Sequence, residues 1–302
     1  MAQQSQMPAQ LQLETFIHLV ADVFDAHTAA LFVKTLSKDV LKLSVYHSLC
    51  ESIDTDSIIK TEQSLIGFVA KHARPLHIAK FDRSALTIGI YNKEVDIKSL
   101  YACPLPDEQG VLFIDSKSYY EFSPKRQKIA IRCAELASHI IQANKELKRL
   151  DIIDKWYSFV SKITPPVDIK IILDSICKSL CLSQGLVAVS IEKDKYQVLA
   201  ITGAREEKWL FRPISIENGL VGWMFRNKRD LFLFRSRGER EKSFFIRLRE
   251  PFKLEQLVYG FFLPFTNKSY VWIFTGNLGA TLLPDEPSKI FEPYLRLILK
   301  DK

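Results

Sequence analysis

The residues that could carry out chemistry are few and widely separated in this 302-residue chain. They are five thiols and six imidazoles, at Cys50, Cys103, Cys133, Cys177, Cys181, His18, His27, His47, His72, His77 and His139. The histidines show no His-Glu-x-x-His spacing, and the chain has neither a Gly-x-Ser-x-Gly elbow nor a phosphate-binding glycine loop. The carboxylate pairs Asp107–Glu108 and Asp285–Glu286 lie in segments typical of turns. We therefore expect no catalytic residue and no enzyme activity.

The cysteines fit a reducing compartment better than a disulfide framework. Their number is odd, and most of them lie inside apolar patterns. Cys177 and Cys181 would share one face of a helix, where they fill a core more simply than they bind a metal without a second ligand pair. We expect neither a metal nor a cofactor.

The strongest charge feature lies between residues 226 and 249. This basic segment has nine basic residues against three acidic ones, whereas the whole chain has a net charge of +7. Its candidate residues for binding a partner or an anion are Arg235, Arg237, Arg240 and Lys242. Phenylalanines are interleaved with them, so the segment could also be a solvated loop whose rings fill its own domain. We expect an acidic protein partner; a phosphorylated small molecule is an alternative, and nucleic acid and membrane are not expected.

Length and composition predict two globular domains. The chain is 47% hydrophobic and 25% charged, which are ordinary values for a folded protein. The N-terminal residues are polar, and the sequence contains no run of about 18 apolar residues. We expect a soluble, cytoplasmic protein.

The two halves repeat one pattern of elements. The stretch QSLIGFVAKHARPLHIA at 63–79 returns as NGLVGWMFRNKRDLFLF at 218–234. Before each stretch come an amphipathic helix, at 11–26 and 167–182, and two short β-rich runs. After each stretch come a long polar segment and a pair of strands, LYACPLPDEQGVLFIDS in the first half and VYGFFLPFTNKSYVWIFTG in the second. The repeat predicts two similar domains, in which Gly67 and Gly222 allow a short helix to pack closely.

This order of elements resembles the GAF domain, a small-ligand and regulatory module related to PAS domains. The resemblance implies an α+β fold with two GAF-like domains, each a central antiparallel sheet of about six strands flanked by helices, joined by a long helix. We expect the first domain at 8–144, the connecting helix at 145–164 and a second, more divergent domain at 165–302. Phe68 and Trp223 are expected to act as apolar anchors of the short helices.

The resemblance also implies that a ligand would lie under a lid of loops. The first lid is the segment 81–98, FDRSALTIGIYNKEVDIK. The candidate pocket residues are Asp82, Arg83, Tyr91 and Trp223, although a solvated loop is the simpler explanation of the first lid. The cyclic-nucleotide signature of some GAF domains is broken, because Arg126 and Gln127 stand where an acidic pair would fall. Bilin attachment and methionine sulfoxide reduction both use lid cysteines, and none occurs at 51–102 or 182–302.

The junction of the two halves predicts a helix that associates with a partner helix. From Ile129 apolar or small residues recur every four and three positions as far as Leu150, a stripe suited to a coiled coil. Residues 125–164 contain neither Gly nor Pro, and Pro165 follows them. One helix of about 60 Å could therefore run through these residues. We expect the stripe at 129–141 to pack on its own sheet. The candidate dimer residues are Ile140, Ala143, Leu147 and Leu150.

These patterns predict a non-catalytic, cytoplasmic signalling or regulatory protein, a tandem GAF homodimer that acts as an adaptor or scaffold through protein–protein binding. The alternative is a sensor that binds an anionic metabolite or nucleotide in a GAF pocket. The sequence ends directly after the last predicted helix, so we expect any signal to pass on through binding.

Overall fold

Two sheets of six antiparallel strands form the centres of the two halves in this computed structural model. The structure describes residues 9–35, 40–55, 58–62, 64–163, 167–202, 210–217, 219–234, 257–276 and 288–299. The chain divides into two compact units, residues 1–144 and 145–302. The predicted domain limits, with a separate connector at 145–164, stay a prediction.

The first unit begins with helix α1 (Ala9–Phe24) and ends on the first part of α3 (Pro124–Val160), with α2 (Leu65–His72) between them. Its strands are β1 (Thr28–Lys34), β2 (Val40–Ser48), β3 (Ile58–Lys60), β4 (Leu76–Ile78), β5 (Ser99–Pro104) and β6 (Gly110–Ser116). They are ordered β3-β2-β1-β6-β5-β4 in the sheet. The central strands β1 and β6 are buried along almost their whole length, so both faces of the sheet must be covered.

The two faces of this sheet are covered by different elements. On one face, Ala30, Phe32 and Phe113 pack with apolar side chains of α2 and of the lid segment 81–98. On the opposite face, the Sγ atom of Cys103 donates a hydrogen bond to the carbonyl oxygen of Ala130 in α3 (3.6 Å). Because successive residues of a strand point to opposite faces, each side chain of β1 and β6 belongs to one of these two layers.

The second unit repeats this topology. Its strands are β7 (Gln184–Glu192), β8 (Lys195–Thr202), β9 (Pro213–Ser215), β10 (Leu231–Phe234), β11 (Leu257–Pro264) and β12 (Ser269–Gly276). Their order, β10-β11-β12-β7-β8-β9, is the order of the first sheet read from the other edge. Helices α4 (Ile169–Leu180), α5 (Gly219–Asn227) and α6 (Ser288–Leu299) correspond to α1, α2 and the start of α3.

The end of α3 packs into the second unit through Trp156. This side chain is fully buried, and its ring meets Phe291 of α6 edge to face, with 5.1 Å between the ring centroids. Phe159 and Tyr294 lie beside the same ring. Aromatic pairs in this arrangement stabilise a core beyond the area that they bury.

The predicted fold class is confirmed in its architecture: the protein is α+β, with two six-stranded antiparallel sheets flanked by helices and a long helix, α3, between them. In the described part of the chain, no helix is long and apolar enough to cross a membrane.

Two expectations about side-chain direction were wrong. Phe68 and Trp223 are not apolar anchors, since they are 48% and 37% exposed; their neighbours Val69 and Met224 enter the cores instead. The stripe at 129–141 is not the face of α3 that lies closest to the sheet either, since Ile129, Cys133 and Ile140 are only half-buried. The buried face of α3 in that stretch consists of Ala130, Ala134, Ala137, Ser138 and Ile141, and Leu136 is exposed. In each case a smaller or adjacent residue lies closer to the sheet than the residue that the pattern favoured.

Gly67 and Gly222 are required by a close approach to backbone. A Cβ atom at Gly67 would lie 2.7 Å from the carbonyl oxygen of Lys60, at the end of β3. A Cβ at Gly222 would lie 2.4 Å from the carbonyl oxygen of Ile216, just after β9. The two glycines therefore do the same work at equivalent places, which explains why the sequence repeats there.

We expect Gly67→Ala and Gly222→Ala each to destabilise the protein by about 1–3 kcal/mol, because backbone must shift to admit the methyl group. In a solvated helix the same change would stabilise the protein by up to about 1 kcal/mol. The sign of the change in the free energy of unfolding therefore shows whether the glycine is closely packed. Calorimetric unfolding of both variants measures it, with the exposed Phe68→Ala on α2 as a control. A stabilising effect at either glycine would contradict the close packing.

Candidate functional site

A buried polar cluster lies at one end of the first sheet, on the face covered by the lid. We call it the Asp115 cluster; it consists of Thr28, Ser48, Cys50, Tyr91 and Asp115. Thr28 in β1 is paired in register with both Asp115 in β6 and Ser48 in β2. Tyr91 comes from the lid segment 81–98. Asp115 shares its strand face with Phe113 and Val111, so a carboxyl group stands in a row that is otherwise apolar.

Hydrogen bonds connect the cluster from the lid to the end of β2. The Tyr91 hydroxyl donates to Oδ2 of Asp115 at 2.5 Å, and the backbone N–H of Thr28 donates to Oδ1 at 2.9 Å. The Tyr91 hydroxyl also lies 2.7 Å from Oγ1 of Thr28, which is 2.8 Å from Oγ of Ser48. The thiol of Cys50 is 3.4 Å from the same Ser48 oxygen. Both oxygens of the Asp115 carboxyl are thus bonded by the protein itself.

Burial dominates the electrostatics of the cluster. It raises the pKa of Asp115 from its usual 3.8 to about 7, although the hydrogen bonds from Tyr91 and Thr28 and the cation of Lys117 act in the opposite direction. The pKa of Tyr91 is also raised, by burial and by the neighbouring Asp115 charge. The pKa of His27 is lowered, first by burial and then by Lys117. A proton on Asp115 is therefore exchanged near neutral pH.

The interior beneath the first lid is lined by buried apolar side chains. Ile66 and Val69 of α2 meet Ile88 and Ile90 of the lid over the sheet, and all four are buried. Of the three predicted pocket residues in the lid, Tyr91 is buried in this interior, whereas Asp82 and Arg83 are exposed. The structure brings only Tyr91 to the sheet.

In the second unit, the described part of the basic segment lies beside an exposed aromatic ring. Trp223 is on the outer side of α5, and the exposed Arg226, Lys228 and Arg229 follow it. The carboxylate of Asp230 is hydrogen-bonded within the second unit, since it accepts from the Phe262 N–H and the Ser288 hydroxyl. The predicted partner residues Arg235, Arg237, Arg240 and Lys242 lie outside the described residues.

The predicted dimer residues differ in exposure along α3. Ile140 is half-buried and Ala143 exposed in the first unit. In the second unit Leu147 and Leu150 are 47% and 59% exposed, and the apolar stripe continues with the exposed Ile153 and Tyr157. The face of α3 that enters the second core carries Ile152 and Trp156 instead.

The residues at the broken cyclic-nucleotide signature connect the start of α3 to its surroundings. A guanidinium nitrogen of Arg126 donates to the carbonyl oxygen of Phe24 at the end of α1 (3.3 Å). The side-chain amide of Gln127 donates to the carbonyl oxygen of Phe122 (2.9 Å) and lies 3.1 Å from Nδ1 of His77. Both side chains therefore make structural hydrogen bonds within the first unit.

The thiols fall into two groups. Cys103 and Cys177 are buried, and burial raises the pKa of both, that of Cys177 to about 12. Cys50 and Cys133 are half-buried, and Cys181 is exposed at the C-terminal end of α4. Among the described residues, no three His, Cys, Asp or Glu side chains are grouped so that they could hold a metal ion.

No protein-family model matches the sequence, and no curated protein matches it. Solved structures that resemble the chain include the GAF domain of a phosphoenolpyruvate-protein phosphotransferase from Acinetobacter, with a TM-score of 0.41 and 15% identity over 46% of this chain and 85% of that one. A free methionine-R-sulfoxide reductase from Neisseria meningitidis gives a TM-score of 0.40 and 14% identity, over 47% of this chain and 83% of that one. The GAF-B domain of DevS from Mycobacterium smegmatis gives 0.38 and 12%, over 47% and 98%. At these identities the similarity concerns the fold alone.

Sequence reasoning named Tyr91 as a candidate pocket residue, which stays a prediction, and it missed Asp115, to which the Tyr91 hydroxyl donates. The available signal was the alternation in GVLFIDS, where Val111, Phe113 and Asp115 share one strand face. An acidic residue at the end of such a row is either exposed, where the strand ends in solvent, or buried. The alternation pattern gives the face of the side chain but does not distinguish these two cases.

We expect the thiols to react in the order of their exposure. Iodoacetamide should alkylate Cys181 first in the native protein, and Cys103 and Cys177 at least about a hundredfold more slowly, since they are buried and their thiolates are disfavoured. Peptide mass spectrometry over time measures each rate, and labelling in denaturant provides the control. Rapid native alkylation of Cys103 would contradict its packing against α3.

Proposed function

We propose that the chain is a non-catalytic regulatory protein of the cytoplasm that works as a homodimeric adaptor, binding other proteins through its surface. The observation that carries this proposal is the apolar stripe on α3. Leu147, Leu150, Ile153 and Tyr157 recur at helical spacing and are exposed, although α3 presents a different face to its own core. An exposed apolar row on a long helix is typical of a surface that another helix covers.

The interior of the first unit supports an adaptor more than a sensor. The space between sheet and lid, where the GAF resemblance would place a ligand, is lined by buried apolar side chains, which solvate an anion poorly. The lid also has no cysteine, because none occurs between residues 51 and 102. This supports a role without covalent chemistry in the lid.

The charge of the second unit supports an acidic partner. Arg226, Lys228 and Arg229 are exposed in the described part of the basic segment, and the rest of the segment adds further cations. Clustered exposed cations accelerate encounters with an acidic surface, and such attraction is screened by salt over a Debye length of about 8 Å.

Replacing Leu147 and Leu150 by Glu should convert the dimer to a monomer. Two like charges per chain would face each other across the stripe, and each buried leucine contributes about 1.5–3 kcal/mol, so we expect dissociation to be favoured by at least about a hundredfold. Light scattering after size-exclusion chromatography measures the mass. The control is Arg149→Gln with Lys155→Gln, which makes the same change of two charges per chain at exposed positions of α3 beside the stripe. A monomeric wild type at tens of micromolar, or a double variant that stays dimeric, would contradict the proposal.

Changing Arg235, Arg237 and Arg240 together to Glu should abolish binding to an acidic partner. A labelled poly-glutamate peptide serves as the probe: wild type should bind it in low salt and release it as salt rises, whereas the triple variant should not bind. The matched control is Lys93→Glu with Lys98→Glu in the first lid, which should bind like wild type. Equal, salt-independent signals for wild type and triple variant would mean that the segment is ordinary surface.

The alternative function, a sensor for an anionic metabolite or nucleotide, is favoured by the cations that follow Trp223. Such a ligand could stack on the ring and pair with Arg226 or Arg229. The first interior suits an anion less, because Asp115 is an acid itself. A native mass spectrum of the purified protein distinguishes the two functions: a retained small molecule that leaves after Trp223→Ala supports the sensor, and unliganded protein supports the adaptor.

A further inference from the structure

The lid of the first unit is fastened to the rest of the domain near Tyr91. Backbone hydrogen bonds connect Asp54 N–H to the Ile90 carbonyl (2.9 Å) and Asn92 N–H to the Ser52 carbonyl (3.0 Å), so the segments 52–54 and 90–92 form a short two-stranded flap. From the middle of this flap the Tyr91 side chain enters the interior and reaches the sheet at Asp115. The side chains of Ile53, which is paired with Tyr91 in the flap, and of Ile90 add apolar contacts to the interior.

We propose that the hydrogen bond between Tyr91 and Asp115 is a proton-sensitive latch that holds this flap, and with it the lid, on the sheet. The bond joins a residue of the lid to a fully buried carboxyl group on the central strand β6. Opening of the flap breaks the bond and admits water to Asp115. The closed and open states therefore differ in the environment of one ionisable group, which is what couples a conformational change to pH.

The direction of the coupling follows from burial. In the closed state the pKa of Asp115 is raised, to about 7, whereas in contact with water it returns toward 3.8. The closed state thus binds the proton more tightly and is favoured at low pH. Its advantage is lost progressively as pH rises from about 4 to about 7, and the loss is complete above the closed-state pKa.

Four other titratable groups adjoin this site and shape the pH profile. Lys117, which follows β6, lowers the pKa of Asp115 and so reduces the effect. Tyr91 stays protonated, because burial raises its pKa, and so do the neighbouring Asp115 and, to a lesser extent, Cys50. His27, which precedes β1, acts in the opposite sense. Its pKa is lowered, so the stability that it contributes is present above its usual 6.5 and is lost as pH falls below it. A variant that removes only the carboxyl separates the two effects.

Hydrogen exchange of the full-length protein between pH 5 and 8, corrected for the intrinsic rates, measures flap opening in peptides that cover 50–54 and 81–98. In wild type we expect opening to increase by at least about tenfold between pH 5 and 7 and then to level off. Asp115→Asn keeps an oxygen for the Thr28 N–H and cannot ionise, so it should remove this increase and leave only the slope due to His27. Tyr91→Phe should raise opening by about fivefold to a hundredfold, the effect of one lost buried hydrogen bond.

Tyr101→Phe is the matched control, since Tyr101 is a buried tyrosine on the opposite face of the same sheet. It should leave exchange in the flap unchanged. The latch is refuted if Asp115→Asn keeps the wild-type pH profile, or if Tyr91→Phe leaves flap exchange as it is. Should Tyr91→Phe unfold the whole unit, infrared difference spectra of wild type between pH 6 and 8 decide. Loss of a protonated-carboxyl band that is absent in Asp115→Asn supports the latch, and no such band overturns it.

Discussion

The structure of each half depends on the need to cover both faces of its central strands. In β1 and β6 nearly every side chain is buried, whichever face it points to, and β12 and the middle of β7 are similar. A sheet with two apolar faces requires a layer on each side. The N-terminal and closing helices supply one layer, and the short helix with its lid supplies the other. Gly67 and Gly222 follow from this requirement, because the short helix must approach the edge strand until backbone meets backbone.

This constraint also explains which parts of the fold the sequence could predict. The sequence shows the alternation of β2, in which Leu41, Leu43 and Val45 are buried between half-exposed residues. It also shows the amphipathic helices and the repeated glycine. The direction of Phe68 and Trp223 was not predictable from pattern alone. Both follow the essential glycine, and the close approach at that glycine turns the next residue outward.

The site was less predictable than the fold because it depends on contacts distant in sequence. Tyr91 and Asp115 are 24 positions apart, and Thr28 is 87 positions before Asp115. Only the sheet order, in which β1 lies beside β6, brings Thr28 to Asp115. The same holds for α3: its heptad pattern indicates an apolar stripe but not which surface the stripe meets. Alanines at 130, 134 and 137 face the sheet, since small residues allow the helix axis to come close, and the larger leucines remain outside.

A buried carboxyl group is a costly way to fasten a loop, because a neutral amide could bond both the Thr28 N–H and the Tyr91 hydroxyl with a smaller desolvation penalty than a carboxylate. The apolar contacts of Ile53, Ile88 and Ile90 already close the interior. What Asp115 adds is a dependence of that closure on protonation, which apolar contacts cannot provide. The two proposals thus assign separate roles to separate places: the exposed stripe on α3 would bind a partner, and the Asp115 cluster would give the first domain an internal state that its surroundings can change.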